Sequence, residues 1–303
     1  MLEIRDLHKS YKNFKVLDGL YMKIKKGDIY GFLGRNGCGK TTTMNIVCNI
    51  IPKDSGEIIL GENGNDKIKI GYLPETPSLY GYMNGYEYLG YIAYCSKYKG
   101  DVDKRIAAVL AITGMTEGGR RRIKGYSRGM NQRLGIAAAI FNSPDLLILD
   151  EPTSALDPEG RAEVMGIIQN LSAAGTTILL CTHILSDVER VSNRIGIVGG
   201  AGKLAVEGSI DSILGEYGSE SVDIQLVEPD ERVVRLIEAA PFAEKTDYYD
   251  KTGLAVLTVK DAKAGIAEAM RYLADNSIDV SSVKLSRPTL EQVYMSIVGA
   301  QWN

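Results

Sequence analysis

The segment GRNGCGKTT, Gly34 to Thr42, crowds three glycines, a lysine and two hydroxyls into one short run. Gly34, Gly39, Lys40 and Thr41 fill the fixed positions of GxxxxGK[ST]. In that pattern the backbone N–H groups of the loop, here through Asn36, Gly37, Cys38 and Thr42, wrap a phosphate chain. Lys40 then reaches the terminal phosphates and the Thr41 hydroxyl ligates Mg²⁺. The chemistry implied is the binding of a nucleoside triphosphate. Alone, the pattern also fits a glycine-rich surface turn with a solvated lysine.

Two further stretches supply what such a loop would need. "LLILDEPT" is an apolar run ending in two acids, and it carries Asp150 and Glu151 to one strand end. Asp150 is placed to hold Mg²⁺ and Glu151 to act as general base on the attacking water. "YSRGMNQRLGIAAAI" places Ser127 where a helix begins, with Leu134, Ala137, Ala138 and Phe141 as its apolar face. That start offers a hydroxyl, the Gly129 backbone and a dipole end to an anion. Lys40 already holds one nucleotide, so a second anion-binding helix serves best if the nucleotide belongs to another subunit.

The elements around these residues come in the order the chemistry needs. "DIYGFL" reads as a strand before the phosphate loop. "KTTTMNIVCNII" reads as a helix after it, with Met44, Val47, Ile50 and Ile51 on one face until Pro52 stops it. The helix N-terminus then aims its free N–H groups at the bound anion. The first 30 or so residues read as edge strands, and residues 54–73 as further short strands. Helix predominates from about 84 to 142, opened by Asn84 with Glu87 as a capping box. "DLLILD" and "TTILLCTH" read as buried parallel strands joined through a helix from Arg161 to Ala174, and "RIGIVGGAGKLAVEG" as a β-hairpin. Residues 216–220 read as a linker. Beyond it the pattern predicts strand 221–228, helix 230–240, strands within 247–259, helix 261–275, strand 278–285 and helix 288–298, a small α+β domain.

Composition narrows the classes. Acidic and basic residues nearly balance, 38 against 35, so no strong field draws the chain to nucleic acid. Cys38, Cys48, Cys95 and Cys181 show no CxxC spacing, which fits a reducing cytoplasm. The N-terminus lacks a secretory h-region, and no stretch approaches the ~20 apolar residues that span a bilayer. A membrane process would need its pore from another chain. Cys38, among convergent N–H donors and beside Lys40, is expected to favour the thiolate. Tyr91, Tyr94 and Tyr98, at helical spacing, are expected to pack the helical region, and Arg120 to Arg122 to form a solvated loop.

The order of Tyr11, the phosphate loop, "YSRGM", "LLILDEPTSALDP" and "LLCTH" closely resembles the ATP-binding cassette (ABC) ATPases over residues 1–215. "YSRGM" together with the ending "SRPTLEQVYMSIVG" resembles the subunits that drive ABC-2 type exporters. The resemblance implies an α/β fold, a P-loop cassette with a RecA-like core, an antiparallel β-subdomain and a helical subdomain. It also implies that residues 221–303 form an accessory domain. Carried over, Tyr11 stacks on adenine, Glu75 takes the position that senses Mg²⁺ and the membrane partner, and Ser127 and Gly129 touch the γ-phosphate held by the opposite protomer. Ser154 to Asp157 cross the dimer, and His183 senses the γ-phosphate. Tyr11 alone reads equally as an ordinary strand tyrosine, and His183 as a structural residue at a strand end. ATP and Mg²⁺ are the implied ligands. The implied partners are a second ATPase subunit, identical or not, and an integral membrane permease on whose cytoplasmic face the chain sits; nucleic acid is not expected.

Two departures stand out: glutamate at 75 where the family usually has glutamine, and Arg128 in place of the first signature glycine, as recurs in the ABC-2 group. A soluble cassette protein acting on ribosomes or DNA is the alternative. Such proteins usually carry two cassettes or a long coiled-coil insertion, and no heptads lie between Thr42 and Tyr126. A P-loop kinase leaves the Ser127 loop and His183 unexplained.

Overall fold

The computed structural model describes residues 1–61, 67–218, 220–227 and 229–300. Residues 62–66 of the expected strand region, Ser219 of the expected linker and Glu228 at the expected strand end lie outside them. The chain forms two compact units, Met1–Ile210 and Asp211–Asn303.

In the first unit, β1 (Leu2–Tyr11) and β2 (Phe14–Ile24) pair antiparallel, and β3 (Ile29–Leu33) leads into α1 (Lys40–Val47). There follow β4 (Ser55–Leu60), β5 (Ile70–Leu73), α2 (Gly85–Cys95), α3 (Val102–Ile112) and α4 (Arg128–Ala139). The chain then alternates through β6 (Leu146–Asp150), α5 (Pro158–Ala173), β7 (Thr177–Thr182) and α6 (Leu185–Val191), and closes with the hairpin β8 (Arg194–Val198) and β9 (Leu204–Ser209).

Two sheets result. β1 is the middle strand of a three-stranded antiparallel sheet ordered β2-β1-β4. The larger sheet is ordered β5-β6-β7-β3-β8-β9, parallel except for β8 with β9. β3, β6 and β7 are buried at every residue, as expected of strands covered on both faces. Leu7, Leu20 and Met22 of the small sheet share one core with Phe32, Ile148 and Leu179 of the large one and Met44 of α1. β6, β7 and β3 run parallel as neighbours, so their C-terminal ends fall on one edge. Ligands bind at that edge in open α/β sheets.

Several boundaries differ from the sequence reading. α1 stops at Val47, before Ile50, which is 59% exposed. Asn49 takes a left-handed φ of 56°, Ile50 N donates to Asn45 O at 2.8 Å, and Asn49 N donates to Ile46 O at 3.0 Å. This is a Schellman ending in which asparagine fills the usual glycine position. α5 begins three residues before Arg161, because Asp157 caps it by accepting from Gly160 N at 2.9 Å. β1 is the middle strand of its sheet, where the first 30 or so residues were expected to lie at edges. Tyr94 does not pack: it is 84% exposed, while Tyr91 meets Tyr80 edge-on at 5.5 Å and Tyr98 meets Phe141 at 5.3 Å. Arg120 to Arg122 are exposed, as expected, and Arg122 also pairs with Glu87 at 2.7 Å while Arg120 lies over the Tyr86 ring.

The division between units falls at the start of α7 (Ile210–Tyr217), a helix that overlaps the expected linker. The second unit then reads β10 (Ser221–Leu226), α8 (Glu231–Glu238), β11 (Lys245–Tyr249), β12 (Leu254–Thr258), α9 (Ala262–Asp275), β13 (Val280–Ser286) and α10 (Leu290–Ala300). Its antiparallel sheet is ordered β11-β12-β10-β13 over a core of Val222, Ile224, Ile237, Leu257 and Leu273.

Candidate functional site

A cleft of about 360 Å³ opens at the C-terminal edge of the parallel strands. Asn36, Gly37, Gly39, Lys40, Thr41 and Thr42 line it from the phosphate loop, Glu75 from beyond β5, Asp150 and Glu151 from the end of β6, and His183 from beyond β7. Val16 of β2 completes the wall. The loop needs its glycines: Gly39 has φ 99°, and a Cβ there would stand 3.1 Å from the Val16 carbonyl oxygen and 2.7 Å from Leu17 Cδ2. Lys40 is buried, and its Nζ donates to Gly34 O at 2.7 Å and Arg35 O at 3.2 Å, so the cation is held at the centre of its own loop.

The start of α1 is built for an anion. α2, α3, α4, α5, α8 and α9 each open on a residue whose side chain accepts a first-turn N–H. α1 opens on Gly39 with no side-chain cap and no acid in its first turn. Its leading N–H groups face the cleft with Lys40 beside them.

Asp150 is almost wholly buried, and neither carboxylate oxygen has a hydrogen-bond partner. Burial pushes its carboxyl above the usual aspartate value. The Thr41 hydroxyl and Cys181 thiol temper the shift, and the neighbouring Glu151 and Glu75 carboxylates reinforce it. An orphaned buried carboxylate next to a threonine hydroxyl fits a hard divalent cation. Among the described residues no three His, Cys, Asp or Glu side chains form a ready-made cage. That suits an ion such as Mg²⁺, which takes one or two carboxylates and completes its shell with water and phosphate oxygens.

Glu151 is the most constrained residue of the cleft. Its φ is 48°, unusual for a residue with a Cβ, and its N–H donates to Cys181 O at 2.7 Å. Thr182 Oγ1 donates to Glu151 Oε2 at 3.0 Å, and His183 Nδ1 lies 2.8 Å from Oε1. An ionised carboxylate only accepts, so Nδ1 carries the proton there. The His183 side chain is 51% exposed while that of Glu151 is 9% exposed, so the ring forms the outer rim of the cleft.

Other expected residues are not gathered here. Tyr11 ends β1, 47% exposed, and is not part of the lining. Ser127 and Gly129 line a separate hollow of about 430 Å³ with Arg128, Leu156 and Asp157. Ser127 caps α4 by accepting from Met130 N at 3.2 Å, which leaves its O–H free to donate. Glu75 and Glu151 also border a smaller hollow shared with Arg128 and Asn131. Sequence reasoning missed Val16, and it missed Thr182, whose only signal was its place beside His183.

Cys38 corrects an expectation. Its thiol lies half-buried behind the loop, near Gly34, and burial pushes its pKa up, with Lys40 only partly offsetting this. The thiol, not the thiolate, is therefore the resting form. At neutral pH a maleimide is expected to label the exposed Cys95 first. Cys38 should follow slowly, faster as pH climbs past the ordinary thiol value of ~8.5, with loss of ATPase activity tracking that second event. A mass-spectrometric time course showing Cys38 labelled as fast as Cys95 at neutral pH would contradict this placement.

The family model described as "ABC transporter" matches residues 17–154. The bacitracin transport ATP-binding protein BcrA of Enterococcus faecalis is 33% identical, over 99% of this chain and 96% of its own. The daunorubicin resistance ATP-binding protein DrrA3 of Streptomyces coeruleorubidus is 31% identical, over 96% and 93%. Among solved structures, an ATP-binding subunit of an ABC transporter superposes with a TM-score of 0.63 at 28% identity, covering 72% of this chain and 93% of that one.

Proposed function

Because this chain belongs to the ATP-binding subunits of the ABC transporters, we propose that it hydrolyses ATP at a head-to-tail dimer interface to drive a separate permease of the ABC-2 export type. The observation that carries the reading is the pairing, in one cleft, of an uncapped helix start beside a buried lysine with an orphaned carboxylate and a clamped glutamate.

In this reading Lys40 and the N–H groups of the loop hold the phosphate chain, and Glu151 takes the proton of the attacking water. His183 orients Glu151 and reaches toward the terminal phosphate. Thr41 and Asp150 hold Mg²⁺, with Glu75 beside them; the ion, when bound, neutralises charge on the phosphate oxygens. Tyr11 stands ready for the base, and Ser127 and Gly129 serve the nucleotide of the second subunit. No helix among the described residues is long and apolar enough to cross a membrane. In this reading the permease supplies the membrane-spanning part, and this chain sits on its cytoplasmic face. The names of the bacitracin-transport and daunorubicin-resistance relatives support export as the direction.

Lys40 and Ser127 line different hollows of one chain, which supports the reading that each complete site is built by two chains. ATPase activity per chain is expected to rise with protein concentration and to show a Hill coefficient above 1 in ATP. Specific activity that stays constant down to nanomolar protein would mean a self-sufficient monomer and end the dimer reading.

A further inference from the structure

Asp187 is a buried acid with no part in the nucleotide cleft described above. It stands in the first turn of α6, and two donors close on it: Thr153 Oγ1 at 2.6 Å and Arg161 Nη2 at 2.8 Å. Thr153 lies two residues beyond Glu151, in the turn that leaves β6, and Arg161 lies near the start of α5. α6 itself begins just after His183.

The entry to α6 is tied a second time. The Thr182 hydroxyl that donates to Glu151 also accepts from Ile184 N at 3.1 Å, and Asp187 N donates to Ile184 O at 3.2 Å. The bonds form a ring that runs from Glu151 through Thr182 and Ile184 to Asp187, then through Thr153 back to the Glu151 turn.

Both halves of that ring need outside support. A left-handed residue with a Cβ is strained and persists only where its surroundings impose it. Among the described residues the Glu151 carbonyl accepts only from Ser154, N at 3.4 Å and Oγ at 3.3 Å, both long. α6 has seven residues and no side-chain cap, too little to hold itself. Val188, seated in the notch over Gly31, anchors its middle; Asp187 anchors its start. A leucine would fill the same space without the desolvation cost of a buried carboxylate, so packing alone does not account for an acid here.

We propose that Asp187 is a positioning residue for hydrolysis. Through Thr153 it fixes the turn carrying Glu151, and through α6 it fixes the segment carrying His183, so the Glu151–His183 contact is set from both ends. This rests on the reading of Glu151 as general base.

The test compares the full chain with Asp187→Asn, Thr153→Val, His183→Ala, Glu151→Gln and the combination of Asp187→Asn with His183→Ala. Asp187→Asn and Thr153→Val are each expected to lower kcat about 10- to 100-fold, as small misplacements of reacting groups do. Both KM and the Kd of a fluorescent ATP analogue should stay within about 2-fold, because the phosphate loop is untouched. On the His183→Ala background Asp187→Asn should cost clearly less than it does alone, since the share of its effect that passes through the Glu151–His183 contact is already lost. Unchanged kcat in both single variants, or a loss that multiplies in full on the His183→Ala background, overturns the proposal. Thr153→Val leaves the Asp187–Arg161 pair intact and carries the same test if Asp187→Asn fails to fold. Normal turnover in Glu151→Gln would instead overturn the general-base reading, whatever Asp187 does.

Discussion

Glu151→Gln is expected to bind ATP as the parent chain does and to lose hydrolysis by about 10²-fold or more, accumulating as an ATP-filled dimer. The substitution preserves shape. Glutamine can turn its oxygen toward the proton on His183 Nδ1 and its amide toward Thr182 Oγ1, so the contacts at 2.8 and 3.0 Å keep a donor facing an acceptor. The left-handed backbone at this position makes no new demand, because both residues carry a Cβ. What disappears is the ability to accept a proton. Lys40, the loop amides and the uncapped start of α1 are untouched, and these supply the affinity for phosphate. Nucleotide affinity and single-turnover hydrolysis measured together separate the two functions, and near-normal turnover would remove Glu151 from the role of base.

The parts of this site that could be read in advance are those whose chemistry is written next to their structure. Gly39, Lys40 and Thr41 join a strand to a helix, and Asp150 and Glu151 end an apolar strand; periodicity and residue type give both in a few adjacent positions. The grip on Glu151 is of another kind. It depends on β7 lying directly beside β6, which brings Cys181, Thr182 and His183 against it, and strand order is a long-range outcome that no local pattern encodes. Asp187 is hidden for the same reason, since its partners Thr153 and Arg161 meet it only once α5 and α6 fold together. Helix ends are decided locally, by capping chemistry over apolar periodicity: Asn49 stops α1 short of Ile50, and Asp157 starts α5 before Arg161. Cys38 shows a conflict of magnitudes. The cation and the helix start do favour a thiolate, but burial behind the loop outweighs them.

Burial outweighs charge again at Asp150, where it leads to two effects of opposite sign. Asp150→Asn is expected to abolish Mg²⁺-dependent hydrolysis, a loss of about 10²-fold or more, because the ion would lose its one buried carboxylate. The same change is expected to raise the melting temperature of the nucleotide-free chain. In the folded protein burial holds the Asp150 carboxyl above its ordinary value of ~3.9, so the folded state binds the proton more tightly than the unfolded state does. Folding stability from this group is therefore fully present at low pH and is lost as pH rises through the raised folded value. Neither oxygen has a hydrogen-bond partner, and the nearby Thr41 hydroxyl and Cys181 thiol offset the cost only in part. A neutral amide in the same place is far less costly to bury than an unpaired carboxylate. The gain in melting temperature should thus be absent in acid, grow as pH climbs through that window and level off above it. Addition of ATP with Mg²⁺ should reverse the order, stabilising the parent chain more than the variant, since only the parent couples the ion to the fold. Thermal melts across pH, with and without ligand, check every part of this. A nucleotide-free Asp150→Asn chain that melts below the parent at neutral pH would show that the carboxylate is satisfied by the protein itself and is not waiting for a cation.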